Sequence, residues 1–436
     1  MNEYSPLKLP KICNLICDTP IFSRLKRIKQ LGSCSYVFPS ATHTRFEHSI
    51  GTACLAFKFV KHLQFLSEDF KLSGNEMLDV ILASLLRNLG HPAFSYLYEE
   101  CFATPDLHQK MSVKLFDKML VDSPKTNRGL RQHLTDRDFD LIRALIDPPP
   151  MFNINGEWNL PISPKKAYIF DIVNNLRNGL DVDKLDYIYR DGLRSGLNKY
   201  SINMNIIKRF IKSAFIGLDY SNRFHCLKFP ESNANEIRLI FESKAELITV
   251  AFILAGPHLM FRTKAGRKIS LEKCHEDLDA FIQLTDDSLY EKIMHPSSDH
   301  PDLIEASKIL EAVEYREIPK LVAEIESIGK NDPSLNAKQL KSYLKSMSFD
   351  ISQIITITKS IHVGKDFEEN PMNSVLFYPR NDRTKSVLVY RKLESVKCSY
   401  IFAPYGSSIE DVKKIFEAIS AYCKFVDSHS VLFVAL

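Results

Sequence analysis

Between Ser73 and Leu89 the chain carries a helix start followed by a helix that lacks a polar face. Ser73-Gly74-Asn75-Glu76 is a capping box, in which the serine hydroxyl accepts from the Glu76 backbone N–H and the glutamate reaches back. The stretch that follows, Met77 to about Leu89, is apolar nearly all round, interrupted by Asp79 and Arg87. A helix of that kind sits in the middle of a core and needs other helices on every side. It therefore demands a large helical domain. The two charges exclude it as a membrane span, and no other apolar run reaches spanning length. Gly90, His91 and Pro92 stop it.

Partners for this helix are present. From His48 to Leu66 the apolar residues Ile50, Cys54, Leu55, Phe57, Val60, Leu63 and Phe65 fit a buried helix. Further helices are expected at about Tyr168–Gly179, Asp181–Arg190, Glu236–Ala255, Leu303–Ile318 and Lys338–Lys345, and a loop at Pro148–Pro164. After about residue 350 the pattern changes. Gln353–Thr358, Ser374–Tyr378, Ser386–Tyr390 and Ser399–Ala403 are β-branched and aromatic runs between turn residues. Ser407–Glu410 reads as a second capping box, opening a helix whose apolar set is Val412, Ile415, Phe416, Ile419, Tyr422 and Cys423. Val431–Val434 closes the chain as a strand. The reading is mainly α: a helical domain over residues 1–345 and a smaller α+β lobe over 346–436.

Composition narrows the function classes. Lys and Arg number 57 against 53 Asp and Glu, a net +4, too balanced to argue for nucleic acid from bulk charge. The nine cysteines are scattered with no CxxC pair, so neither a zinc site nor a redox motif is implied. Reduced thiols and the absence of a signal-like N-terminus lead to an expectation of an intracellular protein, in cytoplasm or nucleus, without membrane association.

The residues able to carry chemistry are few. His43 and His48 flank Arg45-Phe46-Glu47, His91 ends the buried helix, and His108 follows a loop. Asp181, Asp183, Asp186 and Asp191 crowd one segment. Histidines and carboxylates from several helices can build a metal site for phosphate chemistry. Taken singly, each histidine reads more readily as a capped or surface residue than as a ligand, and the acidic run also reads as a solvated helix N-terminus.

Longer blocks carry a resemblance. Asp18-Thr19-Pro20, Ile28-Lys29-Gln30-Leu31-Gly32, Tyr36-Val37-Phe38-Pro39, Arg45-Phe46-Glu47-His48-Ser49, Asn178-Gly179 and Asp181-Val182-Asp183-Lys184 through Arg190-Asp191 resemble the HD-domain dNTP triphosphohydrolases. The similarity is greatest to the branch that pairs a sterile alpha motif with an HD-type catalytic core. The resemblance implies an HD-type helical domain and a divalent metal held by a His, an adjacent His–Asp pair and a distant Asp. The first and last match His48 and Asp183, but the pair falls on Arg87-Asn88. Arg87 would place positive charge where the cation should sit and could pair with Asp183. Two further family histidines match His91 and His108. Gln30, Leu31, Arg45, Lys184, Tyr187 and Asp191 match substrate-lining positions. The substrate helix shows Lys244, Ile248 and Phe252 where the family has Arg, His and Tyr, and Tyr96 stands for another His. At the family's regulatory nucleotide site Asp18 is kept, while Ser23 and Lys26 replace a Gln and an Arg.

These departures lead to the expectation of a catalytically inactive homologue: no catalytic residue at work, no metal or other cofactor, and weak or absent dNTP binding. Its role would be a protein-binding, assembly or regulatory module, with itself or an active relative as partner. One alternative is a residual metal-dependent dNTP triphosphohydrolase or phosphohydrolase with an unusual ligand set from His48, His91, His108 and Asp183. The other is a binder of nucleotide or nucleic acid without turnover, for which Arg380–Lys397 offers a modest basic patch.

Overall fold

The computed structural model describes residues 9–36, 38–65, 68–102, 107–195, 203–234, 237, 259–296, 300–315, 320–327, 336–349, 354–361, 370–379, 382–383, 385–387, 389, 396–403, 406–425 and 431–433. The chain divides into two compact units, residues 1–309 with 372–390, and residues 310–371 with 391–436. The division is therefore not a single cut at 345/346: the chain leaves the first unit earlier and returns to it once.

In the first unit, α1 (Arg45–Leu63) and α2 (Gly74–Leu86) pack against each other. The Ser73 box forms in both directions, Glu76 N donating to Ser73 Oγ at 3.1 Å and Ser73 N to Glu76 Oε2 at 2.7 Å. From Asp79 to Leu86 every residue of α2 is buried, as the all-round apolar pattern requires. The helix ends at Leu86, short of Leu89, because another element takes over its last hydrogen bonds. In α4 (Leu107–Asp122), which follows the short α3 (Tyr96–Phe102), the Ser112 hydroxyl accepts from Gly90 N at 2.8 Å and donates to Arg87 O at 2.6 Å. α5 (Asp136–Ile146) packs on another side of α2.

α6 (Tyr168–Val173) also stops early, at Asn174. Asn174, Asn175 and Asn178 turn their side chains onto nearby backbone: Asn174 Nδ2 donates to Ile146 O, Asn175 Oδ1 accepts from Arg177 N, and Asn178 Oδ1 accepts from Leu180 N. The Asn175 and Asn178 bonds are local and compete with the helix ladder, and Gly179 completes the turn at φ +70°. The chain then enters α7 (Val182–Ser195). β1 (Phe215–Leu218) and β2 (His225–Pro230) are antiparallel, and β5 (Leu376–Tyr378) joins β2 in parallel. That pairing draws residues 372–390 back into the first unit.

The second unit holds the antiparallel sheet β4 (Ile355–Ile361), β6 (Val396–Ala403), β3 (Lys320–Ser327), β7 (Val431–Phe433), in that spatial order. α9 (Ala337–Ser346) and α10 (Ile409–Phe425) contribute Leu340, Leu344, Val412, Ile415 and Ile419 to a core with Val322, Ile325 and Ile401. α10 begins one residue later than expected: the cap is Ser408 with Asp411, not Ser407 with Glu410. α8 (Met204–Ser213) belongs to the first unit. The architecture is mainly α, an HD-type helical domain with a smaller α+β lobe. Among the described residues no helix is long and apolar enough to cross a membrane. The helix expected over 236–255, with Lys244, Ile248 and Phe252, lies outside the described residues apart from Ile237.

Candidate active site

His48 sits within α1, fully buried. Gly51, in the next turn, lets α7 approach: a Cβ there would strike Asp186 Oδ1 and the Arg190 guanidinium. Asp186 and Arg190, four apart on α7, form a two-point pair at 2.9 and 3.0 Å. His48 Nδ1 lies 2.7 Å from Asp186 Oδ2, and Nε2 lies 2.9 Å from Asp183 Oδ1. With a carboxylate at each nitrogen the ring donates twice, as an imidazolium. Burial opposes that charge, but hydrogen bonds and charge from Asp183 and Asp186 outweigh it and raise the His48 pKa.

At the end of α2, Arg87 Nη1 donates to Val173 O at 2.7 Å and to Asp181 Oδ2 at 2.9 Å, while Asp183 Oδ2 is 3.8 Å away. The closer partner of Arg87 is therefore Asp181. Asn88 Nδ2 donates to Asp183 Oδ1 at 2.7 Å, and Asn88 Oδ1 accepts from Arg45 Nη1 at 3.1 Å. Burial works against the Asp183 charge, yet the Arg87 charge and the bonds from His48 and Asn88 hold its carboxyl well below the usual range. Burial dominates at Asp181 and raises it.

A second cluster lies beyond. The turn after α2 is pinned by the buried Arg24, which donates to Leu89 O and His91 O at 2.8 Å each and to Leu284 O at 3.0 Å. Asp286 accepts from Phe94 N and Lys29 N. These struts hold Phe94 and Ser95 at φ 54° and 53°, a left-handed conformation that non-glycine residues adopt only under constraint. His91, from the turn, and His108, from α4, stack with ring centroids 4.2 Å apart and planes within 9°. Glu99 Oε1, from α3, accepts from His108 backbone N at 2.8 Å and lies 2.9 Å from His108 Nδ1. One donor atom from each of His91, Glu99 and His108 lies within 4.8 Å of the others, and all three residues are buried. Burial, then the charges of Arg45, His108, His48 and Arg24, push His91 well below its usual pKa.

Arg45 joins the clusters, donating to Asn88, to Ser95 Oγ at 3.0 Å and, more weakly, to Gln30 O at 3.5 Å. Gln30 N donates in turn to His43 O, and His43 Nε2 meets Asp191 Oδ1 at 2.7 Å. Of the expected residues, His48, Arg87, Asn88, Asp183, Arg45, Gln30, His91, His108 and Asp191 thus belong to one connected neighbourhood. Leu31 follows Gln30, and Lys184 and Tyr187 lie on α7, all three partly buried. Lys244 lies outside the described residues. Sequence reasoning missed Glu99, and gave Arg24 and Asp186 no partner. Only the Asp186–Arg190 spacing carried a signal.

No family model matches the chain. Among curated proteins, the deoxynucleoside triphosphate triphosphohydrolase SAMHD1 of Bos taurus is 31% identical over 463 residues, spanning 98% of this chain and 74% of that protein. The chain belongs to this triphosphohydrolase family. The Homo sapiens SAMHD1 is 29% identical over 450 residues, with 95% and 68% covered. A putative HD domain-containing protein of Acanthamoeba polyphaga mimivirus is 24% identical over 419 residues, with 88% and 85% covered.

Two expectations are corrected here. The sequence was read as that of a non-enzyme, but its SAMHD1 relatives carry the names of enzymes over almost all of this chain's length. It was also read as holding no cofactor, but His91, Glu99 and His108 form a candidate metal site. The first reading rested on the departures at Arg87 and Asn88, on the substrate helix and at Ser23 and Lys26, and the second on Arg87 and Asn88; the donors that overturn the second come from three separate elements whose convergence only the fold reveals.

Proposed function

We propose that this protein is a metal-dependent phosphohydrolase of deoxynucleoside triphosphates. The observation that supports it is the buried network running from Asp191 and His43 through Gln30, Arg45, Asn88 and Asp183 to His48 and Asp186, beside the His91–Glu99–His108 cluster. Buried ionic groups contribute little to stability compared with apolar packing, so a network of this extent reads better as a working site than as scaffold. Its setting in a chain related over nearly its full length to named triphosphohydrolases supports deoxynucleoside triphosphates as the substrate class.

In this reading Arg45 and Lys184 face the phosphates, Gln30 and Leu31 the sugar, and Tyr187 and Asp191 complete the lining. A water oxygen bonds to the α-phosphorus and the bond to the 5′-oxygen breaks. The 5′-oxygen leaves with a proton, so one water yields a deoxynucleoside and inorganic triphosphate. A divalent ion, when bound, polarises a phosphoryl oxygen and acidifies a bound water. The chain's own residues hold the substrate, fix its orientation and keep bulk water from the reacting bond.

The test is incubation of the purified chain with each dNTP and manganese, with products separated by ion exchange. Deoxynucleoside and triphosphate should appear, chelator should stop their formation, and Lys184→Ala should raise KM by about tenfold, the loss of one charged hydrogen bond. Folded protein that releases neither product under any divalent ion would refute the proposal.

A further inference from the structure

We infer that Asp286 is a positioning residue of the site, bracing the two segments that orient the Arg45 guanidinium. The inference rests on the phosphohydrolase reading above, in which Arg45 faces the phosphates, and adds a residue from outside the lining.

Asp286 opens the helix Asp286–Met294. A carboxylate in a first helical turn is favoured by the helix dipole without leaving solvent. The cap of this helix is complete without it: Thr285 Oγ1 accepts from Ser288 N, and Thr285 N donates to Ser288 Oγ. The Asp286 side chain turns inward instead and is buried. Its Oδ2 accepts from Lys29 N at 2.8 Å and its Oδ1 from Phe94 N at 2.7 Å, amides 257 and 192 residues away in the chain.

Each of those amides lies one residue before an acceptor of Arg45. Gln30 O, after Lys29, accepts from Arg45 Nη2, and Ser95 Oγ, after Phe94, accepts from Arg45 Nε. The carboxylate thus sets the separation of two groups that aim one guanidinium. Arg24 completes the bracket with the opposite charge, donating to Leu89 O and His91 O on the same turn and to Leu284 O beside Asp286. A carboxylate offers two acceptor oxygens in one plane, whereas an amide offers one and points a donor at the other N–H.

The charge does not serve the fold. Burial lifts the Asp286 carboxyl from 3.8 to about 6, against the two amide bonds and the Lys29 charge, with Asp287 adding to the rise. Folding therefore tightens the hold on this proton. The associated stability is fully present below about pH 4 and is lost as pH rises through about 6. Near neutral pH the ionised side chain costs stability while accepting both bonds, so bracing and stability move in opposite directions. The charged groups facing it are Lys29, Asp287 and Arg24.

The experiment compares dNTP hydrolysis with manganese by full-length wild type, Asp286→Asn, Ser95→Ala and the double variant, at about pH 7.5 and about pH 5. Asp286→Asn should lower kcat/KM about tenfold at the higher pH. The gap should close to within about twofold at the lower pH, where wild type is itself mostly protonated. Ser95→Ala cuts the same path at the guanidinium and should lower kcat/KM as well, with the double variant losing less than the product of the two factors. Asp287→Asn, exposed on the same turn, should stay within about twofold of wild type. Three results would each overturn the inference and leave the phosphohydrolase reading standing: folded Asp286→Asn as active as wild type, an equal gap at both pH values, or losses that multiply in the double variant. If Asp286→Asn does not fold, full activity in Ser95→Ala overturns the inference, and an about tenfold loss there at an unchanged urea midpoint supports it. Folded wild type that turns over no dNTP sinks the hydrolase reading and this inference with it.

Discussion

Asn88 Nδ2 donates to Asp183 Oδ1 across 2.7 Å. The same oxygen lies 2.9 Å from His48 Nε2, so one carboxylate oxygen gathers an amide and an imidazolium donor. The arrangement depends on an amide at position 88, because a carboxylate there would face another carboxylate.

Asn88→Asp should therefore destabilise the chain by about 1–3 kcal/mol near neutral pH, the penalty for replacing a buried donor by a like charge. The loss should shrink as pH falls and one of the two carboxyls takes a proton. Urea unfolding at about pH 7.5 and about pH 5 measures both. An equal loss at the two values would show that charge repulsion is not the cause.

Asp79 in α2 supplies a second pH signature. Burial, then the charges of Asp138 and Glu76, push its carboxyl from 3.8 up to about 8. The folded chain thus binds this proton more tightly than the unfolded one. The associated stability is fully present below about pH 4 and is lost as pH rises through about 8. Asp79→Asn keeps the shape without the charge, so at about pH 9 it should be more stable than wild type by roughly 2–5 kcal/mol. Thermal unfolding against pH should show a flatter profile in the variant, and parallel profiles would count against the assignment.

Two glycines flanking the buried helix should respond to alanine in opposite ways. A Cβ at Gly90 meets the backbone of His108 and Ser112, which cannot move without displacing α4. Gly90→Ala should lose about 3 kcal/mol or more, together with turnover. Gly74 has nothing within 4 Å and begins α2, so Gly74→Ala should gain about 0.5–1 kcal/mol. Urea midpoints of the two variants should move in opposite directions.

How far the fold could be read from residues depended on range. The Ser73 box and the all-round apolar α2 were legible because cap and helix are local. The early end of α2 was not, since Ser112, distant in sequence, takes its last bonds. One residue of slack misplaced the second cap, where Ser407 and Ser408 are each followed three residues on by an acid. The parallel pairing of β5 with β2 carries no local signal at all. At the site, His48 and Asp183 stood out through the resemblance, whereas Glu99 became visible only once α3 and α4 were placed side by side.

The most direct measurement is product analysis by phosphorus NMR on dATP and dGTP with manganese, for wild type and His108→Gln in parallel. The account predicts inorganic triphosphate as the phosphorus product of wild type, and a rate at least about tenfold lower in the variant. Unchanged dNTP after prolonged incubation with folded, manganese-loaded wild type would contradict it.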